Sequence, residues 1–243
     1  MRYIDLAKLL ENRPNWGHSA KLWKNPTLKT DFRNYFHNKC WYTECDLTGH
    51  DVWIDHFRPK GAVVQYGDYY YNAPLRDCGY TWLINDPQNY RACCVIANRI
   101  TAGAGKGNYF PLKENSPLLT QIGTEIEETL LLDPCNRDEV ELFMFFGAEI
   151  QCTSEDETNK TRVTISSHIY NMSNGDIRTA RSRVWEEITK TWSEYTQGDL
   201  SQPACLQRLK NLVDRKAPFS ACAISCVRSI VSDEMQAELD LEL

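Results

Sequence analysis

Asp55 and His56 stand side by side in VWIDHFRPK, residues 52–60, with Arg58, Pro59 and Lys60 directly behind them. An imidazole with a free pKa of about 6.5 accepts a proton close to neutrality. A carboxylate supplies the hard oxygen that Mg²⁺ or Mn²⁺ prefers. Arg58 and Lys60 are cations suited to phosphate. A base, a hard cation and phosphate-binding groups held in fixed register are what phosphodiester hydrolysis requires. Adjacent strand residues point to opposite faces, so Asp55 and His56 share a site only if the strand ends or bends, and Pro59 predicts that it does. Downstream, NYRACCVIANRITAGAGKGNYFPL, residues 89–112, opens a short strand at Asn89 and carries Asn98 nine residues later. Lys106 follows as a further candidate for phosphate. An Asp-His pair alone is more often a solvated strand than a site; the downstream pattern is what singles this one out.

These residues need elements to hold them. Residues 2–12 read as an amphipathic helix ended by Pro14, and 31–38 as a second helix capped by Thr30. Val52 to Phe57 alternates as a strand closed by Pro59. Residues 61–79 look like a loop, NYRACC like a strand, and VIANRITAGAG like a helix stopped by Gly103 and Gly105. GAGKG at 103–107 is not a phosphate loop, because Ile100 and Gly107 stand where that pattern needs Gly and Ser or Thr. PCNRDEVELFMFFGAEI alternates like a hairpin turning at Gly147, and SEDETNK, 154–160, reads as a polar loop. Asn174 or Asp176 caps a helix to about Tyr195, another follows Pro203, and a third spans roughly 221–232.

The 243 residues suffice for a sizeable core. No apolar run nears the roughly 20 residues that span a bilayer, and the first residues lack a signal-peptide pattern. A cytoplasmic protein is expected, with its ten cysteines mostly reduced and Cys205, Cys222 and Cys226 buried. The net charge of −6 argues against a freestanding nucleic-acid binder, but it is unevenly spread. Residues 17–113 hold 12 Lys and Arg against 8 Asp and Glu, a net of +4, whereas 114–160 hold 2 against 12, a net of −10. That acidic block reads as a solvated face or as a surface for a basic partner. The basic stretch 17–39, with Trp23, Phe32, Tyr35 and Phe36, is a candidate nucleic-acid groove, although such aromatics are more often core.

In its order of Asp55-His56, Asn89 and Asn98 the chain resembles the HNH endonuclease superfamily. Within that superfamily it is most similar to the subfamily of the Septu nuclease PtuB and its retron-associated relatives, through HFRPK at 56–60, YTWL at 80–83, NYRACCVIAN at 89–98 and FPL at 110–112. LLLDP at 130–134 and TISSHIYNMSNGDIRTARSR at 164–183 extend the likeness, so that it covers about 40–183, with the sharper motifs before 113. The resemblance implies an α+β fold with an HNH ββα-metal nuclease core at 40–113. A helical segment 1–39 would precede it, and an extension 114–243, an acidic hairpin region then helices, would follow. It implies His56 as general base, Asp55 and Asn98 as ligands of one Mg²⁺ or Mn²⁺, and Asn89 as the residue that fixes the interstrand loop. It also implies anti-phage defence with a PtuA-type ATPase and, in retron systems, a reverse transcriptase with its DNA–RNA product (msDNA). Substrate choice between DNA and RNA, tRNA in particular, stays open, because no pattern reads a 2′-hydroxyl. A nuclease-like subunit that has lost catalysis and binds a partner is the rival from another class.

Many relatives hold the ββα unit with a zinc on two C-x-x-C pairs. Here Cys40 and Cys94 remain, but Thr43 and Ala97 replace their mates. Cys45, Cys93, His37 or His50 could substitute. Since two of four ligands are gone, core thiols are favoured over a structural Zn²⁺.

Overall fold

The Asn25-Pro26 pair opens the first long helix. Asn25 accepts the Leu28 amide at 3.1 Å and Pro26 fills the first turn, where its missing N–H is not needed. This helix, α2 (Pro26–Tyr35), therefore starts five residues before the predicted position. Thr30 is not its cap; its hydroxyl donates inside the helix to the Pro26 carbonyl at 3.0 Å. The helix buries Leu28 and Phe32, one turn apart, and Phe32 stacks on Trp41 at 5.2 Å. Before it, Asp5 accepts the Lys8 amide, so that α1 runs Leu6–Glu11 rather than from residue 2.

A computed structural model describes residues 1–11, 15–64, 78–117, 119 and 127–243. The expected stop at Pro14, most of the loop predicted at 61–79 and part of the stretch before 133 lie outside them. The described elements make an α+β arrangement of helices and two small antiparallel sheets. In the first sheet β1 (Trp53–His56) pairs with β2 (Tyr90–Cys93), setting Asp55 opposite Arg91 and His56 opposite Tyr90. A single helical turn, α3 (Val95–Asn98), follows. It stops at Asn98 rather than continuing to Gly103, because Arg99 is extended and Thr101 and Ala104 exchange backbone hydrogen bonds around Ala102 and Gly103. Gly105 (φ +110°) is required there: a Cβ would stand 2.1 Å from the Arg99 carbonyl oxygen.

The one-turn helix α4 (Arg137–Val140) leads into the hairpin of β3 (Phe143–Phe146) and β4 (Glu149–Cys152), which turns at Gly147 as predicted. The polar run 154–160 is not all loop. Asp156 accepts the Asn159 amide at 2.9 Å and starts α5 (Glu157–Ile169) inside it. Asn174 caps α6 (Gly175–Thr196), followed by α7 (Gln202–Val213), α8 (Ser220–Ile230) and α9 (Asp233–Gln236). α6, α7 and α8 enclose one apolar core that includes Cys205 and Cys226; a larger core joins the first sheet to α1, α2 and α5. Among the described residues no helix is long and apolar enough to cross a membrane.

Buried polar contacts tie these parts together. Arg91 grips Asp133 with two nitrogens, at 2.7 and 2.5 Å, and donates to the Gln88 carbonyl. LLLDP is thus a strut under β2. The acidic block is in part internal counter-charge: Glu127 pairs with Arg58, Asp133 with Arg91 and Glu139 with Arg162.

Candidate functional site

β1 ends at His56, and the chain turns at Pro59, so that Asp55 and His56 line one cleft of about 110 Å³ together with Lys60, Asn98 and Asn108. This is room for a few waters or one partly hydrated cation. The His56 ring sits between Trp23 and Tyr90, each with its centroid 5.1 Å away. Its Nε2 lies 2.9 Å from the Ile84 carbonyl oxygen. A carbonyl only accepts, so Nε2 carries the proton and the lone pair is on Nδ1. Burial, opposed by that hydrogen bond and aided by the nearby Lys60 and Lys106, lowers the imidazole to about 4. The ring is neutral at pH 7.

The Asp55 carboxylate accepts the Tyr42 hydroxyl at 2.7 Å and lies 3.6 Å from the Lys106 ammonium. Burial pushes Asp55 up, while Lys106 and Tyr42 pull it down. Tyr42 itself stacks on Tyr170 at 4.0 Å, and Tyr170 donates to the Leu132 carbonyl, which carries the C-terminal elements into the orientation of Asp55. Asn89 ends the 3-10 turn Pro87–Asn89 just before β2. Its side chain accepts the Arg58 amide at 2.7 Å and donates to the Arg58 carbonyl at 2.9 Å, clamping the segment behind His56. The Asn98 Oδ1 is buried with no hydrogen-bond partner among the described residues.

Of the three expected phosphate cations only Lys60 faces the cleft. Its ammonium lies 5.1 Å from the Trp23 ring centroid. Arg58 turns instead to Glu127 at 3.3 Å and packs on Tyr80 and Phe110. Lys106 is enclosed, donating to the His56 carbonyl at 3.2 Å and pairing with Asp55. Its expected contact with phosphate is replaced by an internal ion pair, because the Gly105 turn sends it under the sheet. Beside the cleft a second pocket of about 280 Å³ is lined by Trp23, Lys24, Lys29, Trp53, Lys60 and Asn98. From the basic aromatic stretch, Trp23 reaches this surface while Phe32 and Phe36 are core.

Elsewhere, the sulfur atoms of Cys40, Cys45 and Cys94 lie within 4.8 Å of one another. Burial raises the Cys40 thiol, but hydrogen bonds from Cys45 and Cys94 outweigh it and pull it well down; Cys45, on the donating side, is pushed up to about 12. Cys93, considered as a substitute ligand, turns away and donates to the Trp53 carbonyl at 3.6 Å; His37 and His50 are not in the cluster.

No protein-family model and no curated protein matches the chain. The geometry is therefore the ground for any reading of function. A carboxylate, an amide oxygen without a partner and an opening to water together suit a hard divalent cation. The nearby Lys106 ammonium is its electrostatic competitor. Sequence reasoning did not single out Tyr42 and Asn108 for the site, whereas Lys24 and Lys29 belong to the basic stretch 17–39 read as a candidate groove. A tyrosine in a turn and a lone Asn carry no spacing signal; only the fold brings them to the site.

Proposed function

We propose that the chain is a metal-dependent nuclease of the HNH type. The observation that carries the reading is one cleft, on an antiparallel strand pair followed by a helical turn, lined by Asp55, His56 and the unpartnered oxygen of Asn98. His56, fixed through Nε2 by Ile84, takes a proton from water at Nδ1. Asp55 and Asn98 would hold Mg²⁺ or Mn²⁺, which when bound offsets charge on the scissile phosphate and the leaving oxygen. Asn89 positions His56 through Arg58, and Lys60 meets phosphate. The setting implied by the resemblance is bacterial anti-phage defence in the cytoplasm, with a PtuA-type ATPase and, in a retron version, a reverse transcriptase and its msDNA. The substrate is DNA or tRNA.

Asn98→Ala separates this reading from a structural one. A buried acceptor without a partner costs about 1–3 kcal/mol, so its removal is expected to leave thermal stability unchanged or raised. Metal-dependent cutting of plasmid DNA or total tRNA, assayed with Mg²⁺, Mn²⁺ and EDTA and with the partner proteins encoded beside it, is expected to fall at least a hundredfold. Cutting unaltered by Asn98→Ala sinks the assignment of that ligand. The substrate that disappears decides between DNA and tRNA.

A second observation favours the rival reading, a partner-binding subunit without catalysis: Lys106 stands 3.6 Å from Asp55 where a divalent cation would compete with it. No cutting by the assembled, triggered complex would support that rival.

The lysine pocket gives a separate expectation. Replacing Lys24, Lys29 and Lys60 together by Ala is expected to weaken substrate binding roughly tenfold or more. It should also lower the slope of log affinity against log salt by about 2 to 3, close to one for each phosphate no longer neutralised. An unchanged salt slope in a filter-binding titration would remove these lysines from the interface.

A further inference from the structure

The pocket beside the cleft holds more than cations. Trp23 and Lys24 reach it from a 3-10 turn, Leu22–Lys24, Lys29 from α2 and Trp53 from β1. Ile54, Lys60 and Asn98 line both this pocket and the cleft, so the two form one continuous surface. The segment that fixes His56 also fixes the turn that carries Trp23. The Leu22 amide donates to the Asn85 side chain at 3.1 Å, next to the Ile84 carbonyl that lies against His56 Nε2. The Trp23 indole is already engaged, with the Lys60 ammonium over its ring and the His56 ring in a T-shaped contact. Trp53 instead keeps 43 % of its surface exposed.

A single exposed apolar side chain is ordinary surface. The charges around Trp53 set this one apart, because it borders two pockets of opposite character. The pocket of about 690 Å³ is lined by Asp46, Asp51 and Asp176 and by no Lys or Arg. The pocket of about 280 Å³ is lined by Lys24, Lys29 and Lys60 and by no carboxylate. A polyanion that enters the cleft is drawn along the second and repelled by the first. An indole face beside three cations is the combination that holds a nucleotide, with the base on the ring and the phosphate on the ammonium groups. In a duplex both faces of a base are covered by its neighbours, and only its edges are offered in the grooves. An indole therefore stacks on a base that has left the helix.

We infer that this pocket takes one unpaired nucleotide next to the scissile phosphate, its base on the Trp53 indole and its phosphates among Lys24, Lys29 and Lys60. The inference rests on the nuclease reading for the position of the cut, and it makes the substrate single-stranded there. Every base has a π-face, so this recognition tolerates any sequence. Deoxyribose and ribose strands offer the same base face and the same phosphate, and the test separates them.

The full chain is titrated in EDTA at low salt with labelled oligothymidylate, oligouridylate and a DNA duplex of equal length, followed by fluorescence anisotropy. A 2-aminopurine placed in the single strands reports stacking through its quenching. Both single strands, or one of them, are expected to bind at least tenfold more tightly than the duplex, and the tighter one names the sugar. Trp53→Leu keeps an apolar side chain but removes the π-face. It is expected to weaken the single strand about tenfold, abolish the quenching and leave the duplex unchanged, whereas Trp53→Phe keeps most of the affinity. Four results would each overturn the inference: duplex binding as tight as single-strand binding, no binding of either single strand, Trp53→Leu behaving as wild type, or Trp53→Leu losing both ligands equally. None of these readouts involves cleavage. Duplex preference with metal-dependent cutting intact removes this inference and leaves the nuclease reading. Single-strand binding through Trp53 with no cutting by the assembled complex leaves the pocket and removes the nuclease reading.

Discussion

His56→Ala is expected to cut the metal-dependent cleavage rate by about 10²- to 10⁴-fold, the usual worth of a positioned general base. The ring is buried, so the loss has to be separated from damage to the fold. His56 packs between Trp23 and Tyr90 and holds the Ile84 carbonyl, and its deletion leaves a void beside the cleft. Tyr90 also donates to that carbonyl, at 2.7 Å, so the acceptor keeps a partner in the variant. Added imidazole is therefore expected to enter the void and restore part of the rate. Rescue marks a missing base, since a protein that has merely unfolded does not recover with imidazole. Binding to the proposed ATPase partner should persist in the variant. Cutting that survives His56→Ala at the wild-type rate would end the mechanism proposed here.

Glu44→Ala is expected to destabilise the chain by about 3–5 kcal/mol, the cost of leaving buried charge without its partner. Glu44 is fully enclosed. It lies 3.3 Å from the Met1 ammonium and 3.7 Å from Lys39, and it accepts from Ser220 and Ala221. Burial raises its carboxyl, but the Met1 ammonium, Lys39 and Arg2 outweigh that and hold it at about 2 against an ordinary 4.5. Lys39, which Glu44 and Asp214 both favour as a cation, is nevertheless lowered to about 8, mainly by burial, so the benefit resides chiefly on the Glu44 carboxylate. Because the folded value lies below the unfolded one, the contribution is complete above about pH 4.5 and lost as pH falls toward 2. Urea denaturation of wild type across that range should show the loss, and Glu44→Ala should show a smaller one. An equal acid slope in the two proteins would place the pH dependence elsewhere.

Sequence alone determined the periodic and punctuated parts. The alternation of Phe143–Phe146 and the glycine at 147 gave the hairpin, and Asn174 before an apolar stripe gave α6, because side-chain period and capping chemistry are local. Asp55, His56, Asn89 and Asn98 were legible as a set, and the structure brings three of them to one cleft and the fourth to the segment behind it. Helix starts at residues 25 and 156 were less legible, since Asn and Asp in polar runs read equally well as loop. What the tertiary structure decided is which charges face which. The acidic block looked like surface, yet Asp133 and Glu127 are partners of Arg91 and Arg58. Lys106 looked like a phosphate cation, yet it neutralises Asp55, and Cys45 joined Cys40 and Cys94 although no spacing rule requires it. The physical reason is common to all three: a buried charge or thiol is defined by the groups that replace its water, and those come from distant points of the chain.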